Sequence, residues 1–276
     1  MTDRFDNMIY QLKNQSDSIG DTLSQALEST VEDFTGLNFT DEKNRFGKIG
    51  NALENIGDYF DSFDIKGQDQ ISNFLDIIEY KKSSGKEVIM LIGNHDHHYF
   101  PEIGNTGTSG YQSMFSYQIS PVLDANREHL QMAYKMDDFL FSHAGVSSEW
   151  MDDNIVGWDV DNMVGRINEL FHYQPNKFTF RSFKQYSNER TILSDGHGSN
   201  TYQTPIWIRP KALMNVNYNT LRTQVIQIVG HTQVKKLDLV GSQKSAGGRY
   251  YLIDCQETTG EYLIIQDKEL IVGQTR

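Results

Sequence analysis

Val88-Ile89-Met90-Leu91-Ile92-Gly93-Asn94-His95-Asp96 is the stretch on which the fold turns. Five consecutive apolar residues ending at a glycine suit a strand covered on both faces. Where that strand ends, an amide, an imidazole and a carboxylate follow one another, and ligands in open α/β sheets gather just outside the carboxyl ends of strands. Two other polar clusters are introduced the same way. Phe139-Leu140-Phe141 leads into Ser142-His143-Ala144-Gly145, and Val225-Ile226-Gln227-Ile228-Val229 leads into Gly230-His231-Thr232. Upstream, Gly57-Asp58-Tyr59-Phe60-Asp61 sets two carboxylates three residues apart.

Working outward, Ile71, Phe74, Leu75 and Ile78 mark one face of a helix, which basic Lys81-Lys82 and then Gly85 bring to an end. Asn51 to Ile56 is a poor strand on composition, yet it delivers Asp58 and Asp61. Strand, helix, strand in that order predicts parallel neighbours joined by a crossover. Gly104 to Gly110 is a glycine-rich loop. From residue 146 to about 223 the chain is aromatic and irregular, with Trp150, Trp158, Phe171, Phe178, Phe180 and Trp207. Such a stretch is either a cap that shapes a substrate pocket or a helical layer with ordinary packing. Tyr250 to Ile253 and Tyr262 to Ile265 flank Glu257-Thr258-Thr259-Gly260, which predicts an antiparallel hairpin. Residues 1–50 differ from the rest: Ile19, Leu23, Ala26, Leu27, Val31 and Phe34 predict an amphipathic helix, and no histidine precedes His95. The expected organisation is a helical segment at 1–50 and one α/β domain with a mixed sheet at 51–276.

Composition narrows the function. With 276 residues and 38% hydrophobic content, one large core is affordable. A formal net charge of -12 argues against a nucleic-acid footprint, which needs a basic face. Acidity also sits awkwardly with phosphate chemistry unless bound cations reverse the local field. The single Cys255 rules out an intrachain disulfide. No basic-then-apolar leader and no apolar span of about 18 residues occurs, so the expectation is a soluble, cytoplasmic protein with no membrane partner.

Asp58, Asn94, His143 and His231 each lie just past the end of an expected strand, so a twisted sheet can bring them together. One carboxylate, one amide oxygen and two imidazoles suit Mn, Fe or Zn better than an all-oxygen Ca site. A carboxylate can bridge two metals, which makes Asp58 the bridging candidate. In order and rough spacing, the four clusters resemble the motifs of the calcineurin-like metallophosphoesterases, over roughly residues 57 to 275. The resemblance implies a pair of mixed sheets flanked by helices. It also implies a metal-dependent phosphoesterase that hydrolyses a phosphomonoester or phosphoanhydride by metal-activated water, the substrate being a phosphorylated molecule such as a phosphoprotein or a dinucleoside polyphosphate. Carried over position by position, Asp58 bridges two metals and Asn94, His143 and His231 complete one of them. His95 is then a proton donor or charge stabiliser at the leaving group, oriented by Asp61.

The chain departs from the pattern in one major respect. The family opens with a strand leading into Asp-x-His-Gly, and no such motif precedes Asp58. One metal site is therefore complete in sequence, while the other retains only Asp58; a degenerate member that binds one metal or a phosphorylated partner without turnover is the alternative reading. Asp195-Gly196-His197-Gly198 imitates the missing motif, so Asp195 and His197 are candidate substitutes, set against a chance match in a glycine-rich loop. His97 and His98 are expected in a solvated loop without a role. Gly230-His231-Thr232-Gln233 lacks a second histidine, which resembles the branch holding protein serine/threonine phosphatases and dinucleoside polyphosphate hydrolases. That branch carries an arginine after its second Asp, yet Ser62 follows Asp61 here. Arg209 is the candidate phosphate grip, against simple packing on Trp207.

Overall fold

In this computed structural model the described residues are 52–63, 65–106, 110–181, 198–215, 225–237, 249–255 and 259–274. The chain divides into two units, Met1–Ile49 with Thr275–Arg276 and Gly50–Gln274, and all the described residues belong to the second. The helix expected around Ile19 to Phe34, and Asp195 and His197, lie outside the described residues.

Strands β1 (Ala52–Asn55), β2 (Val88–Leu91) and β3 (Leu130–Gln131) form a parallel sheet in the order β1-β2-β3. Helix α1 (Gly67–Ser83) is the crossover from β1 to β2, as the strand, helix, strand order requires. Its Ile71, Phe74 and Ile78 are buried, whereas Leu75, expected on the same face, is 39% exposed. The helix ends where expected: the Ser84 N–H donates to the Tyr80 carbonyl, and Gly85 turns the chain at φ +68°. A second sheet has the order β4-β5-β6-β7, made of β4 (Ala133–Met136), β5 (Phe139–Ser142), β6 (Ile226–Val229) and β7 (Arg249–Leu252). β4 runs antiparallel to β5, while β5, β6 and β7 are mutually parallel.

Alternation along β2 builds the layers. Ile89 and Leu91 face the second sheet and pack with Phe139, Phe141, Ile228 and Tyr251. Val88, Met90 and Ile92 point the other way, into a cluster with Phe74 and Ile78 of α1 and Ile119 and Leu123 of α3 (Ser116–Ala125). The far face of the second sheet packs Val229 and Tyr250 against Ala212 and Leu213 of α6 (Pro210–Asn215). Helices therefore cover both sides of two stacked sheets, and β2 is buried along its whole length, as a strand of unbroken apolar residues must be.

The aromatic region supplies α4 (Ser148–Asn154) and α5 (Met163–Tyr173). Trp150, Met163, Ile167, Phe171 and Phe178 join the same cluster as β2. Trp207 and Phe180 meet edge to face, their ring centres 5.1 Å apart. The C-terminal hairpin is displaced from its expected place. β7 pairs in parallel with β6, and the antiparallel pair is β8 (Glu261–Gln266) with β9 (Glu269–Gln274). Its two-residue turn is Asp267-Lys268, both at positive φ (50° and 67°), the geometry of a type I′ turn without the glycine that advertises one. No helix among the described residues is long and apolar enough to cross a membrane.

The layering predicts where the stability resides. Leu91 is 0% exposed between the sheets, so Leu91→Ala costs about 2–5 kcal/mol by urea unfolding. Val156, 93% exposed, is the control: Val156→Ser stays within about 0.5 kcal/mol of the parent.

Candidate metal centre

Asp58 leaves β1 through a turn that only a tight sequence permits. Gly57 sits at φ +92°, and a Cβ there would lie 2.3 Å from the Gly93 nitrogen and 2.9 Å from His143 Nδ1. A Cβ on Gly93 would lie 2.1 Å from Asp58 Oδ1. The two glycines thus let the β1 and β2 loops touch backbone to backbone. Asp96 fastens them: its buried carboxylate accepts N–H bonds from Gly93 (2.8 Å), Asp58 (2.8 Å) and Tyr59 (2.7 Å). Burial and the neighbouring Asp58 charge push the Asp96 carboxyl up to about 7 against the pull of those three donors. Asp96 was visible in the sequence beside His95, but nothing there assigned it this work.

The four residues expected to meet do meet. His143 Nε2 lies 3.0 Å from Asn94 Oδ1, 3.2 Å from His231 Nδ1 and 3.3 Å from Asp58 Oδ2. The other nitrogen of His143, Nδ1, is bonded to the Ile56 carbonyl. A carbonyl only accepts, so Nδ1 carries the proton and neutral His143 presents a bare lone pair at Nε2. That lone pair faces an amide oxygen and a carboxylate oxygen, which are acceptors too. Acceptors crowded in this way repel one another unless a cation lies among them. Burial, with the charges of Arg209 and His95 nearby, holds His231 well below the usual imidazole range, so it does not bring the missing positive charge itself. A metal about 2.0–2.2 Å from each donor spaces neighbouring donors roughly 3.0–3.4 Å apart, which is the spacing found. The donor set therefore fits a divalent cation of the Mn, Fe or Zn type.

Beside this centre lies a second polar group. Asp61 Oδ2 is 3.0 Å from His95 Nδ1 and 2.7 Å from His98 Nε2, and Oδ1 accepts from the Tyr99 hydroxyl. Burial alone would raise the Asp61 pKa, but hydrogen bonds with His95, His98 and Tyr99 bring it down to about 2. Burial lowers the His95 pKa, and the Asp61 bond with the charges of Asp58, Asp61 and Asp96 overcomes it, leaving His95 above the usual imidazole value. His95 is anchored through its backbone as well, its N–H donating to Asp58 Oδ1 at 3.0 Å.

One expectation changes. His97 and His98 do not occupy a solvated loop: they are 2% and 1% exposed. His97 Nε2 bonds the Pro175 carbonyl at 2.8 Å, and burial drops its pKa to about 4. Arg209 reaches the loop that carries His231, donating from Nη1 to the His231 carbonyl (2.9 Å) and to Thr232 Oγ1 (3.0 Å). Trp207 meets the His231 ring edge on at 5.9 Å. Gly198, which ends the Asp-x-His-Gly imitation, adjoins these residues, its carbonyl accepting the Arg209 N–H at 3.0 Å.

Backbone strain concentrates at this site. Asp58, Asp61 and His231 have φ of 64°, 70° and 60°, a region costly for residues with a Cβ and found where surrounding contacts enforce it.

Two measurements follow. Gly93→Ala drives a methyl group into Asp58 and lowers stability by at least about 2 kcal/mol in chemical unfolding, with loss of divalent-cation binding in the fraction that folds. The depressed Asp61 pKa stabilises the fold above the unfolded carboxyl value of 3.8, and this contribution is lost as pH falls toward about 2. Between pH 4 and pH 2 the parent therefore loses about 2 kcal/mol that Asp61→Asn does not lose.

Residues 25–235 match the family model described as calcineurin-like phosphoesterase, a span that begins ahead of Gly57. No curated protein gives a match. Among solved structures, a point mutant of a cold-active protein tyrosine phosphatase aligns at 16% identity and TM-score 0.46, over 75% of this chain and 62% of that one. The cold-active protein-tyrosine phosphatase of a psychrophile, Shewanella sp., aligns at 16% identity and TM-score 0.45, over 74% and 62%. This chain thus spans about 62% of the length of those structures. With the family model covering more than half of its length, the chain belongs to the calcineurin-like phosphoesterases.

Proposed function

We propose that this protein is a metal-dependent phosphatase that hydrolyses a phosphomonoester or a phosphoanhydride. One observation carries the reading: four acceptor atoms, on Asp58, Asn94, His143 and His231, converge beside an imidazole whose proton is retained by Asp61. Asp58, Asn94, His143 and His231 would hold a divalent cation. When bound, the cation supplies an activated water near neutral pH and neutralises charge on the phosphoryl oxygens.

The remaining work falls to side chains. His95 keeps its proton because Asp61, Asp58 and Asp96 surround it with negative charge, and Nδ1 is engaged by Asp61. Nε2 is then the nitrogen able to give a proton to the departing oxygen, which is the task of a general acid held off the metal. Asp61 stays ionised under the same conditions and so keeps the ring oriented. Arg209, with its guanidinium beside the His231 loop, is the phosphate contact in this reading. Asp58 is also the residue through which a second cation would be shared. Asp195 and His197 are the first substitutes to test for its remaining ligands.

The test uses purified full-length protein with Mn²⁺ and p-nitrophenyl phosphate, with bound metal measured in parallel. Asn94→Ala and His143→Ala each lower kcat by at least roughly 100-fold and weaken Mn²⁺ binding. Equal turnover in parent and variants removes the proposal. Stoichiometric Mn²⁺ binding with no turnover of mono- or polyphosphate esters would instead select a one-metal binding protein.

A further inference from the structure

We infer that His98 and Tyr99 are positioning residues for the reaction: they lock the Asp61 carboxylate so that it holds the His95 ring with Nδ1 engaged and Nε2 presented to the leaving group. The inference rests on the phosphatase reading for its kinetic consequence, although the clamp itself is a feature of the folded protein.

A carboxylate that meets a single imidazole is free to swing about its terminal torsion. Asp61 has no such freedom. Its Oδ2 is shared by His95 Nδ1 (3.0 Å) and His98 Nε2 (2.7 Å), while Oδ1 takes the Tyr99 hydroxyl. Each partner is fixed in turn. The Tyr99 oxygen accepts the Gln112 N–H at 2.8 Å, and its ring stacks on Tyr111 at 4.9 Å with planes 18° apart. The His98 ring stands edge-on to both Tyr99 (4.5 Å) and Tyr111 (4.8 Å). Both Asp61 and His98 are buried, so water does not compete for these contacts. Burial and the bond to Asp61 push the Tyr99 phenol well above its usual range, which keeps it a donor. Asp61 needs such reinforcement, since it sits at a positive φ of 70°.

Asp61, His95 and His98 are also close enough to hold a metal ion among them. The 2.7 Å contact between Asp61 Oδ2 and His98 Nε2 is tighter than the roughly 3.0–3.4 Å between neighbouring donors on a metal. The Tyr99 donor on the opposite oxygen likewise belongs to a hydrogen-bonded carboxylate.

The experiment compares Tyr99→Phe and His98→Asn with the parent and with His95→Asn. Two Mn²⁺-supported substrates are used: p-nitrophenyl phosphate, whose leaving group departs unaided, and phenyl phosphate, which needs the proton. In both clamp variants kcat on phenyl phosphate falls about tenfold while that on p-nitrophenyl phosphate falls less than about threefold, with KM unchanged. In the His95→Asn background, Tyr99→Phe adds nothing further. The readout independent of activity is ¹⁵N NMR of histidine-labelled, metal-free protein. There the Nδ1–H signal of His95, identified by its loss in His95→Asn, shifts in Tyr99→Phe. Equal losses on both substrates, or an unmoved signal, overturns the clamp. So does loss of one bound metal ion in His98→Asn. A parent without phosphatase activity would remove the functional proposal alone, and the NMR signal would then decide the clamp. Tyr99→Phe keeps the ring and its stacking, so it carries the test if His98→Asn does not fold.

Discussion

The site depends on two glycine backbones packed against each other. Gly57 and Gly93 approach so closely that a methyl group on either would overlap the opposite loop. The contact has no side chain to hold it, and it would be weak alone. Asp96 turns it into a joint by drawing three backbone N–H groups, two from the β1 loop and one from the β2 loop, onto one buried carboxylate. Three hydrogen bonds to one buried group, out of the reach of water, hold the two loops together. Two of the four donors of the centre take their geometry from that joint. Asp58 faces His143 because the β1 loop is pinned, and Asn94 faces the same nitrogen because the β2 loop is.

A joint this tight explains where the strain is tolerated. Asp58 and Asp61 both take positive φ, and each is held by contacts to the other loop: Asp58 through the Asp96 carboxylate and the His95 N–H, Asp61 through His95, His98 and Tyr99. His231, also at positive φ, is steadied from behind by Arg209 on its carbonyl. Conformations that cost of order 1–3 kcal/mol each persist only where the surroundings leave no alternative. Here they bring Asp58, Asn94, His143 and His231 together in a set of donors that fits a divalent cation. The acidic balance of the whole chain, -12, fits the same picture, because a cation is the means by which such a surface meets an anionic phosphate.

Much of this was legible in the sequence, and the reasons are physical. β2 could be read because a strand buried on both faces has no polar positions, and the clusters at the ends of β2, β5 and β6 could be read because apolar strands delivered them. The crossover through α1 followed from the strand, helix, strand order. What stayed hidden had no local signature. The β8–β9 hairpin turns on Asp267-Lys268, which carries none of the glycine that marks such turns, so the hairpin was assigned one strand too early. Histidines next to an acidic motif look solvated, and only the fold shows that Pro175, 78 residues after His97, supplies its partner. Leu75 lies at a core spacing but at the edge of the buried stripe, where 3.6-residue periodicity leaves a residue half out.

The density of function at Asn94 to His98 follows from helix geometry. These residues form helix α2 (Asn94–His97) and its C-terminal cap. Successive side chains on a helix point about 100° apart, so a single turn can serve four directions at once. Asn94 goes to the metal donors, Asp96 to the glycine joint and His97 to the Pro175 carbonyl. His95 and His98 are three apart and therefore project to nearly the same side, where both meet Asp61. The second histidine on Asp61 is thus a geometric consequence of keeping the turn helical after the first. Because the turn starts just past the end of β2, a strand buried along its whole length, these directions are set by the core. The chemistry of the site is as rigid as the strand that delivers it.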